Sequence, residues 1–281
     1  MAFERIVVLG PGLLGGSVGL AVKERSLGEV VFWGRSEKRL GVVREAGFEA
    51  SDNLEDATRD ADLVIMATPV DYYHDLALRL AAGNGKKGLL VTDVGSVKGF
   101  VHQSVGDVLG GAGIAFIGSH PMAGSDRTGF AHASSELFEG SCCFLTDDEG
   151  VGGDQLASLR AFWSSLGCCL QETTAQRHDE IVARVSHLPH VLAAVGARVG
   201  LRCEGESRFG GGGLRDTTRV AGGDPAMWRG ILLENRKAVI SELQESIEDL
   251  RQLVSALEQE EADDVEQWLA VGQERRRELD S

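Results

Sequence analysis

The sequence predicts an α/β protein in which a doubly wound, mainly parallel sheet is followed by an all-α domain. Short β-branched and aliphatic runs alternate with helix-like stretches in the first part of the chain. A glycine-rich loop follows the first run, and strand signals stop after about residue 172. Because the apolar runs show no alternation with polar residues, they suit buried strands covered on both faces. The first domain is therefore predicted to be Rossmann-type.

Each predicted strand is followed by a helix or a loop of the kind that a parallel sheet needs. Strands are predicted at 5–9, 29–33, 62–66, 88–92, 114–118 and 141–145, with a weaker signal at 168–171. Helices are predicted at 14–26, 36–46, 72–82, 98–108 and 153–166. We expect residues 1–172 to form this domain and residues 173–281 to form the helical one.

The second part reads as long helices. One is predicted at 175–199, interrupted by Pro189, and one at 227–257, with the glycine run 210–213 between them. From Ile240 onward, apolar residues recur at alternating spacings of three and four, which is a heptad-like seam. This seam could pack inside its own domain or pair with a second subunit. The basic residues near the end predict a charged, frayed terminus.

Charge and cysteine usage exclude several classes of protein. Lys and Arg total 28 and Asp and Glu total 43, so the net charge of −15 disfavours nucleic acids and anionic membranes as partners. The five cysteines include no CxxC spacing, and we expect no metal site. No signal peptide or membrane-length apolar run is seen, so we expect a cytoplasmic protein in a reducing compartment.

The loop after the first strand has the spacing of a dinucleotide-binding turn. Gly10, Gly12 and Gly15 form G-x-G-x-x-G, and Leu13 and Leu14 open the helix that follows. The first glycine permits the tight turn, the second lets the backbone approach a pyrophosphate, and the third permits close helix–strand packing. The alternative is a purely structural glycine turn.

The end of the second strand bears on which dinucleotide is bound. NAD enzymes usually place an acid there to bind the ribose 2′-hydroxyl. This chain has Gly34, Arg35 and Ser36 instead, and the last two offer donors to a 2′-phosphate. The pattern favours NADP over NAD, unless Arg35 is only a solvated loop cation.

Polar residues also follow later strands, at the edge where open α/β sheets bind ligands. Thr68, Pro69 and Val70 follow one strand, and Ser96 lies in the segment 93–98 after the next. Ser96 could alternatively cap a helix. His120 follows the strand at 114–118, where an imidazole can act as a general base near neutral pH.

The helical part contributes two further groups of candidates. His187 and His190 are three residues apart on one helical face, and helix packing is the alternative to a functional role. After the glycine run, Arg215, Asp216 and Arg219 follow in close succession. Guanidinium groups bind carboxylates in a planar, bidentate way, so this segment predicts an anionic substrate.

In combination, these residues resemble the prephenate/arogenate dehydrogenase family of tyrosine biosynthesis. The resembling stretches run in order along nearly the whole chain: 10–17, 68–70, 93–98, 120–124, 178–190, 211–219 and 224–235. The resemblance implies a Rossmann domain followed by a helical domain that forms a homodimer. It also implies oxidative decarboxylation of prephenate to 4-hydroxyphenylpyruvate, with hydride transfer to NAD(P).

The resemblance further implies roles for individual residues. His120 would take the proton of the ring hydroxyl, with Ser96 beside it, and His190 would lie near the substrate or nicotinamide. Arg219 would bind a substrate carboxylate, with Asp216 orienting it. The remaining substrate-binding candidates are Trp228, His187 and Asp126, the last of which could meet the amine of arogenate.

Three alternatives stay open. Arogenate, alone or together with prephenate, would give tyrosine directly. Another reductase with the same architecture, such as a 3-hydroxyacid dehydrogenase, would usually rely on a helix-borne lysine rather than on His120. A dinucleotide-binding sensor without turnover would have no need of His120 and Arg219 together.

Overall fold

The computed structural model describes residues 3–83, 85–124 and 127–280, and its first part is built on a six-stranded parallel sheet. The strand order is β3-β2-β1-β4-β5-β6, and every neighbouring pair is parallel. The strands are β1 (Arg5–Leu9), β2 (Glu29–Trp33), β3 (Glu49–Ser51), β4 (Leu63–Met66), β5 (Leu90–Asp93) and β6 (Ala115–Phe116). The predicted doubly wound fold is confirmed.

Apolar side chains leave both faces of this sheet. Along β1, Ile6 and Val8 join one apolar cluster while Val7 and Leu9 join another, and all four are fully buried. Helices cover the two faces, which explains why the strands are continuous apolar runs. These helices are α1 (Leu13–Glu24), α2 (Glu37–Glu45), α3 (Leu54–Thr58), α4 (Tyr73–Ala82), α5 (Gly99–Val101) and α6 (Asp107–Gly111). A π-helical turn, His102–Gly106, makes α5 and α6 continuous.

Two short elements were not predicted. β3 has only three residues and α3 only five, and neither carries an apolar period long enough to recognise. Both are ordered by their neighbours. β3 pairs with β2, and the Asn53 side chain caps α3 by accepting the Asp56 N–H at 3.1 Å.

The predicted strand at 114–118 is in fact two strands in different sheets. β6 ends the large sheet, and β7 (Gly118–Pro121) pairs antiparallel with β8 (Cys142–Thr146). β8 pairs in parallel with β9 (Cys169–Thr173), and α7 (Gly153–Ser165) connects these two strands. His120 therefore lies within a strand of the second sheet and not after a strand of the large sheet.

The predicted helix at 175–199 is continuous but not uniformly α-helical. It consists of α8 (Ala175–Val182), a π-helical turn (Ala183–His187) and α9 (Leu188–Gly200). Pro189 is the second residue of α9 and has no N–H to donate back into the helix. The wider π turn directly precedes it. α10 (Gly212–Thr218) then begins in the glycine run.

The predicted helix at 227–257 is broken at Asn235. α11 (Pro225–Glu234) and α12 (Arg236–Glu258) lie on either side of this buried residue. The prediction of a frayed end was wrong, because α13 (Ala262–Arg277) continues through the three terminal arginines. Cations in the last turn of a helix are stabilised by its dipole. No helix in the described ranges is long and apolar enough to span a membrane.

Candidate active site

The loop between β1 and α1 leaves an open space beside the first turn of α1. Gly10 has φ of +110°, and a Cβ there would lie 2.8 Å from the carbonyl oxygen of Ala67. A Cβ on Gly15 would lie 2.2 Å from the Gly10 oxygen, whereas a Cβ on Gly12 would meet nothing within 4 Å. Gly10 and Gly15 are therefore required by packing, and the space at Gly12 is available to a ligand. Leu13 and Leu14, both half-buried, form the first turn of α1.

The residues after β4 form the neighbouring wall of this space. Thr68 approaches Gly10, since its Cγ2 lies 3.0 Å from the position of a Gly10 Cβ. The Thr68 hydroxyl is buried and has no hydrogen-bond partner among the described residues. Pro69 precedes the 3₁₀ turn Val70–Tyr72, and Val70 is half-buried. An unpartnered buried hydroxyl beside a glycine loop is the environment that a polar ligand would satisfy.

The segment after β2 presents a cation at the same edge of the sheet. Gly34 is buried, and a Cβ there would lie 3.2 Å from Pro11 Cδ. Arg35 is exposed, with its guanidinium carbon 3.9 Å from the centroid of the Tyr72 ring. Ser36 caps the start of α2 through its backbone oxygen, and its hydroxyl makes no cap hydrogen bond. Among the described residues, no hydrogen bond of the Arg35 or Ser36 side chain is seen, and both present donor groups at the end of β2.

A buried ion pair joins the end of β5 to β7. Asp93 and Lys98 are both fully buried and are paired with each other. Asp93 also accepts the Gly95 N–H at 2.8 Å and the Ser119 N–H at 3.0 Å. Ser96 is half-buried in the loop that this pair holds. The alternative that Ser96 caps the next helix is wrong, because α5 begins at Gly99 and is capped from another part of the chain.

Ser119 holds β7 against the large sheet. Its hydroxyl lies 2.7 Å from Thr92 Oγ1 and accepts the Trp163 indole N–H at 3.0 Å. All three side chains lie in fully buried residues. The backbone of the next residue, His120, is therefore fixed on both sides.

His120 is a buried imidazole held at one of its two nitrogens. Its Nδ1 lies 2.8 Å from Nε2 of His178 on α8, and the two rings are 5.0 Å apart. Burial, and then the nearby His178, Lys98 and His187, hold the pKa of His120 well below its ordinary value. His120 is therefore neutral near pH 7, as a general base must be.

His178 and Asp179, which we did not predict, complete this cluster. His178 Nδ1 lies 2.8 Å from Asp179 Oδ1. The Asp179 carboxylate also accepts the backbone N–H groups of Lys98 and Gly99, each at 2.8 Å, and so caps α5. Burial opposes ionisation of Asp179, but these hydrogen bonds outweigh it and lower its pKa. The sequence signal is only an adjacent His-Asp pair, which has no periodicity.

His187 and His190 meet at Trp228 on α11. The His190 ring stacks on the indole with centroids 3.5 Å apart, and the His187 ring meets it edge-on at 6.1 Å. His187 Nδ1 contacts the Asn235 amide at 3.2 Å, while its buried Nε2 has no partner among the described residues. Burial lowers the pKa of His187 to about 4. These rings form one aromatic cluster, and Trp228 also packs against an apolar cluster of the sheet domain.

The predicted carboxylate-binding residues lie in the segment just before Gly223, which packs against the Trp228 ring. Asp216 is in α10, and Arg219 starts the 3₁₀ turn Arg219–Gly222. Both are exposed, and no ion pair between them is seen in this described segment. Gly223, which directly follows this turn, packs so tightly on Trp228 that a Cβ on Gly223 would lie 2.5 Å from the indole nitrogen. Asp126 lies outside the described residues. Within the described ranges, no cluster of three or more His, Cys, Asp or Glu residues is arranged to bind a metal.

Two family models match the chain along most of its length. Residues 18–172 match "Prephenate dehydrogenase, nucleotide-binding domain", and residues 174–271 match "Prephenate dehydrogenase, dimerization domain". The chain is 31% identical to a prephenate dehydrogenase of Bacillus subtilis, over 97% of this chain and 75% of the relative. It is 32% identical to a cyclohexadienyl dehydrogenase of Zymomonas mobilis, over 93% and 91%.

Solved structures show the same similarity in three dimensions. A prephenate dehydrogenase from A. aeolicus, in complex with hydroxyphenyl propionate and NAD+, superposes with a TM-score of 0.91 at 25% identity and covers 99% of both chains. An arogenate dehydrogenase from Synechocystis superposes with a TM-score of 0.83 at 26% identity, over 98% of this chain and 100% of that one.

Proposed function

This chain belongs to the prephenate dehydrogenase family, and we propose that it oxidatively decarboxylates prephenate to 4-hydroxyphenylpyruvate, with hydride transfer to a nicotinamide dinucleotide. Within the site, the observation that carries the proposal is His120. It is buried and neutral, its Nδ1 is held by His178, and no described residue hydrogen-bonds its Nε2. Removing a hydroxyl proton requires such a group.

The space beside the glycine loop fits the pyrophosphate and ribose of a dinucleotide. The residues that would hold it are Gly10, Gly12, Leu13, Leu14, Gly15, Thr68, Pro69 and Val70. The first-turn N–H groups of α1 and the unpartnered Thr68 hydroxyl supply the donors. When bound, the nicotinamide supplies the electrophile that accepts the hydride.

We propose that NADP is preferred to NAD. No acid stands at Gly34, and the Arg35 guanidinium and the Ser36 hydroxyl are both exposed at the ribose end of the predicted site. A 2′-phosphate would satisfy both donors. The similar A. aeolicus structure contains NAD+. NAD is therefore the alternative to NADP, and the test must distinguish the two dinucleotides.

The proposed chemistry needs one base for the hydroxyl proton and a cationic group that binds a substrate carboxylate. His120 Nε2 accepts the proton of the ring hydroxyl as the carbon that bears it loses hydride and becomes a carbonyl. The bond to the ring carboxylate then breaks, CO2 leaves, and its electron pair completes the aromatic ring as a phenolate. The phenolate oxygen takes the proton back from His120 Nε2 to give the phenol. We place Ser96 and His190 beside the reacting ring, with Arg219 at a substrate carboxylate and Asp216 as the residue that orients Arg219. Trp228 and His187 line the pocket.

A second candidate substrate is arogenate, which carries an ammonium group where prephenate has a keto group. The similarity to a cyclohexadienyl dehydrogenase and to an arogenate dehydrogenase favours it as an additional substrate. Asp126 remains the predicted partner of that ammonium group. The product would then be tyrosine.

We also propose that the chain acts as a homodimer. The seam on α12 is half exposed in the single chain, including Ile240, Ile247, Leu250, Val254 and Leu257. Such a row of apolar residues is stable in water when a second helix covers it. The match to the family's dimerization domain supports a second copy of this chain as the partner.

The cytoplasm remains the predicted compartment. All five cysteines carry free thiols, which fits a reducing environment.

The test measures the absorbance of the reduced dinucleotide as it forms. Four mixtures are compared, in which prephenate or arogenate is combined with NAD or NADP. We expect turnover with prephenate and a higher kcat/KM with NADP. The Arg35→Ser variant should lose that preference while keeping activity with NAD. Absence of turnover in all four mixtures would contradict the dehydrogenase assignment and favour a sensor. Equal use of both dinucleotides by the unmodified protein would contradict the role of Arg35.

A further inference from the structure

A chain of hydrogen bonds runs from His120 through His178 to Asp179 and ends at the first backbone N–H groups of α5. We propose that His178 and Asp179 are positioning residues that fix the tautomer of His120, so that its Nε2 carries the lone pair that takes the substrate proton. The proposal rests on the proposed function, because it assigns His120 as the base.

The direction of the chain follows from its last member. Asp179 is only 13% exposed, and its two oxygens accept N–H groups from Lys98 and Gly99. An ionised carboxylate can only accept hydrogen bonds. His178 Nδ1, which lies 2.8 Å from Oδ1, must therefore carry a proton and donate it.

The tautomer of the next ring follows in the same way. His178 is fully buried, and burial lowers its pKa although Asp179 opposes this effect. In the neutral ring, Nδ1 carries the only proton, so Nε2 must accept a hydrogen bond. The proton between the two rings then belongs to His120 Nδ1. His120 Nε2 is left as a lone pair, which is the form that can accept a proton from a hydroxyl.

The chain also provides a place for the charge that the reaction creates. When His120 Nε2 takes the hydroxyl proton, its Nδ1 proton can pass to His178 Nε2. The net result is one O–H bond broken, one N–H bond formed on each ring and one N–H bond broken on His120. The positive charge then lies on His178, in contact with the carboxylate of Asp179.

The other charged and titratable groups around this chain do not provide such a counter-charge. Lys98 is a buried cation, and its charge is already paired with Asp93. His187 is neutral near pH 7, because its pKa is lowered to about 4. The uncharged ring of Phe144 on β8 meets His178 in a T-shaped contact, at 5.2 Å between centroids. Asp179 is the anion in direct contact with His178.

Asp179 is itself held by contacts from both parts of the chain. Its carboxylate caps α5 in the sheet domain, and its backbone oxygen accepts the Asn235 side-chain N–H at 2.8 Å. Asn235 also contacts His187, whose ring meets Trp228. Asn235 therefore connects Asp179 to the aromatic cluster around Trp228.

Two substitutions at His178 separate the two hydrogen bonds of that ring. In His178→Gln, the amide can take the place of Nε2 and accept from His120, but the contact with Asp179 is lost. In His178→Asn, the amide can take the place of Nδ1 and keep Asp179, but the contact with His120 is lost. We expect His178→Asn to lower kcat by about 10²-fold or more with little change in KM, and His178→Gln to retain at least about tenfold more turnover. Equal losses in the two variants would overturn the proposal, because a merely structural ring would not distinguish them.

A second measurement needs neither a variant at His178 nor a substrate. Imidazole ¹⁵N NMR of the intact, unmodified protein reports which nitrogen of His120 carries the proton. We expect the proton on Nδ1, and in Asp179→Asn we expect a fraction of His120 with the proton on Nε2, together with a fall in kcat. A proton on Nε2 in the unmodified protein would overturn the proposal. This result is independent of whether prephenate is turned over, so it is distinguishable from a failure of the proposed function.

Discussion

His120 is the residue on which the proposed chemistry depends, and its surroundings explain its properties. Its ring is 7% exposed, and burial keeps it neutral. The preceding residue, Ser119, is fixed by Thr92 and Trp163, so the position of the ring varies little. The sequence predicted this residue from its place after a strand. It did not predict the partner His178, which lies 58 residues away along the chain.

Replacing His120 with Asn removes the proposed base without opening a large cavity. Asn can keep a polar atom near Nδ1 and so preserve the contact with His178, but nothing takes the place of Nε2. We expect turnover to fall by about 10²–10⁴-fold while dinucleotide affinity is unchanged. Steady-state kinetics and a dinucleotide titration provide the check. An undiminished kcat would remove His120 from the mechanism.

Among the elements, the turn between β1 and α1 and the helix breaks contribute most to the site. The turn is determined locally, because its glycine spacing and its position between strand and helix are both evident in the sequence. The π turn at 183–187 directly precedes Pro189, which the sequence shows, but the break at Asn235 is not local in this sense. Asn235 interrupts a helical pattern because its side chain is buried against Asp179 and His187, and both contacts are tertiary.

Two glycines of the same turn should respond differently to alanine. In Gly15→Ala the new Cβ would lie 2.2 Å from the Gly10 oxygen, so we expect the free energy of unfolding to fall by about 1–3 kcal/mol. In Gly12→Ala the Cβ would enter open space, so stability should be unchanged but dinucleotide affinity should fall. Thermal melts and fluorescence titrations separate the two effects. Unchanged affinity in Gly12→Ala would show that the dinucleotide does not approach this glycine.

At the scale of the whole molecule, charge and exposed apolar surface raise separate questions. A net charge of −15 repels an anionic substrate at long range, so binding depends on local cations such as Arg219. The seam on α12 leaves apolar side chains exposed in the single chain, which we attribute to a missing second copy. Both the charge and the seam are evident in the sequence. Whether the seam packs inside its own domain or against a second subunit depends on its exposure, which only the folded chain shows.

A lysine in the seam should dissociate the dimer. Ile247 is 48% exposed in the single chain, and in a dimer its replacement by Lys would bury an unpaired charge. Gln252→Lys is the matched control, because it adds the same charge at an exposed polar position of α12. We expect sedimentation to show monomers for Ile247→Lys and dimers for the control. Dimers of unchanged stability in both variants would place the subunit interface elsewhere.

Acid should begin to destabilise the fold at a pH above the range in which the carboxylates titrate. The pKa values of His120, His178 and His187 are all lowered, that of His187 to about 4, mainly through burial. In the unfolded chain a histidine titrates near its ordinary value of 6.5. Between these limits the unfolded state binds more protons, so the free energy of unfolding falls as pH falls from about 6.5 towards 4.

Urea unfolding at about pH 7 and about pH 5 measures this effect, and His187→Gln should lose less stability than the unmodified protein over that interval. The lowered pKa of Asp179 contributes stability above about pH 3.8, which is lost only at lower pH, so it does not account for the predicted loss. Equal stability at both pH values would contradict the neutral, buried state of these histidines.

Local signals in the sequence predicted the fold class, the glycine loop and His120 as a candidate residue, and the motifs in combination carried the resemblance to the family. Each of these signals is formed by residues that are close together in the sequence: the apolar run of a strand, the spacing of the glycines, and the loop that follows a strand. The second sheet, the break at Asn235 and the chain from His120 to Asp179 depend on packing between distant segments. Asp179 caps a helix that begins about 80 residues earlier in the chain. A buried polar group takes whichever partner the fold brings within hydrogen-bonding distance, and no period or motif in the sequence encodes that partner.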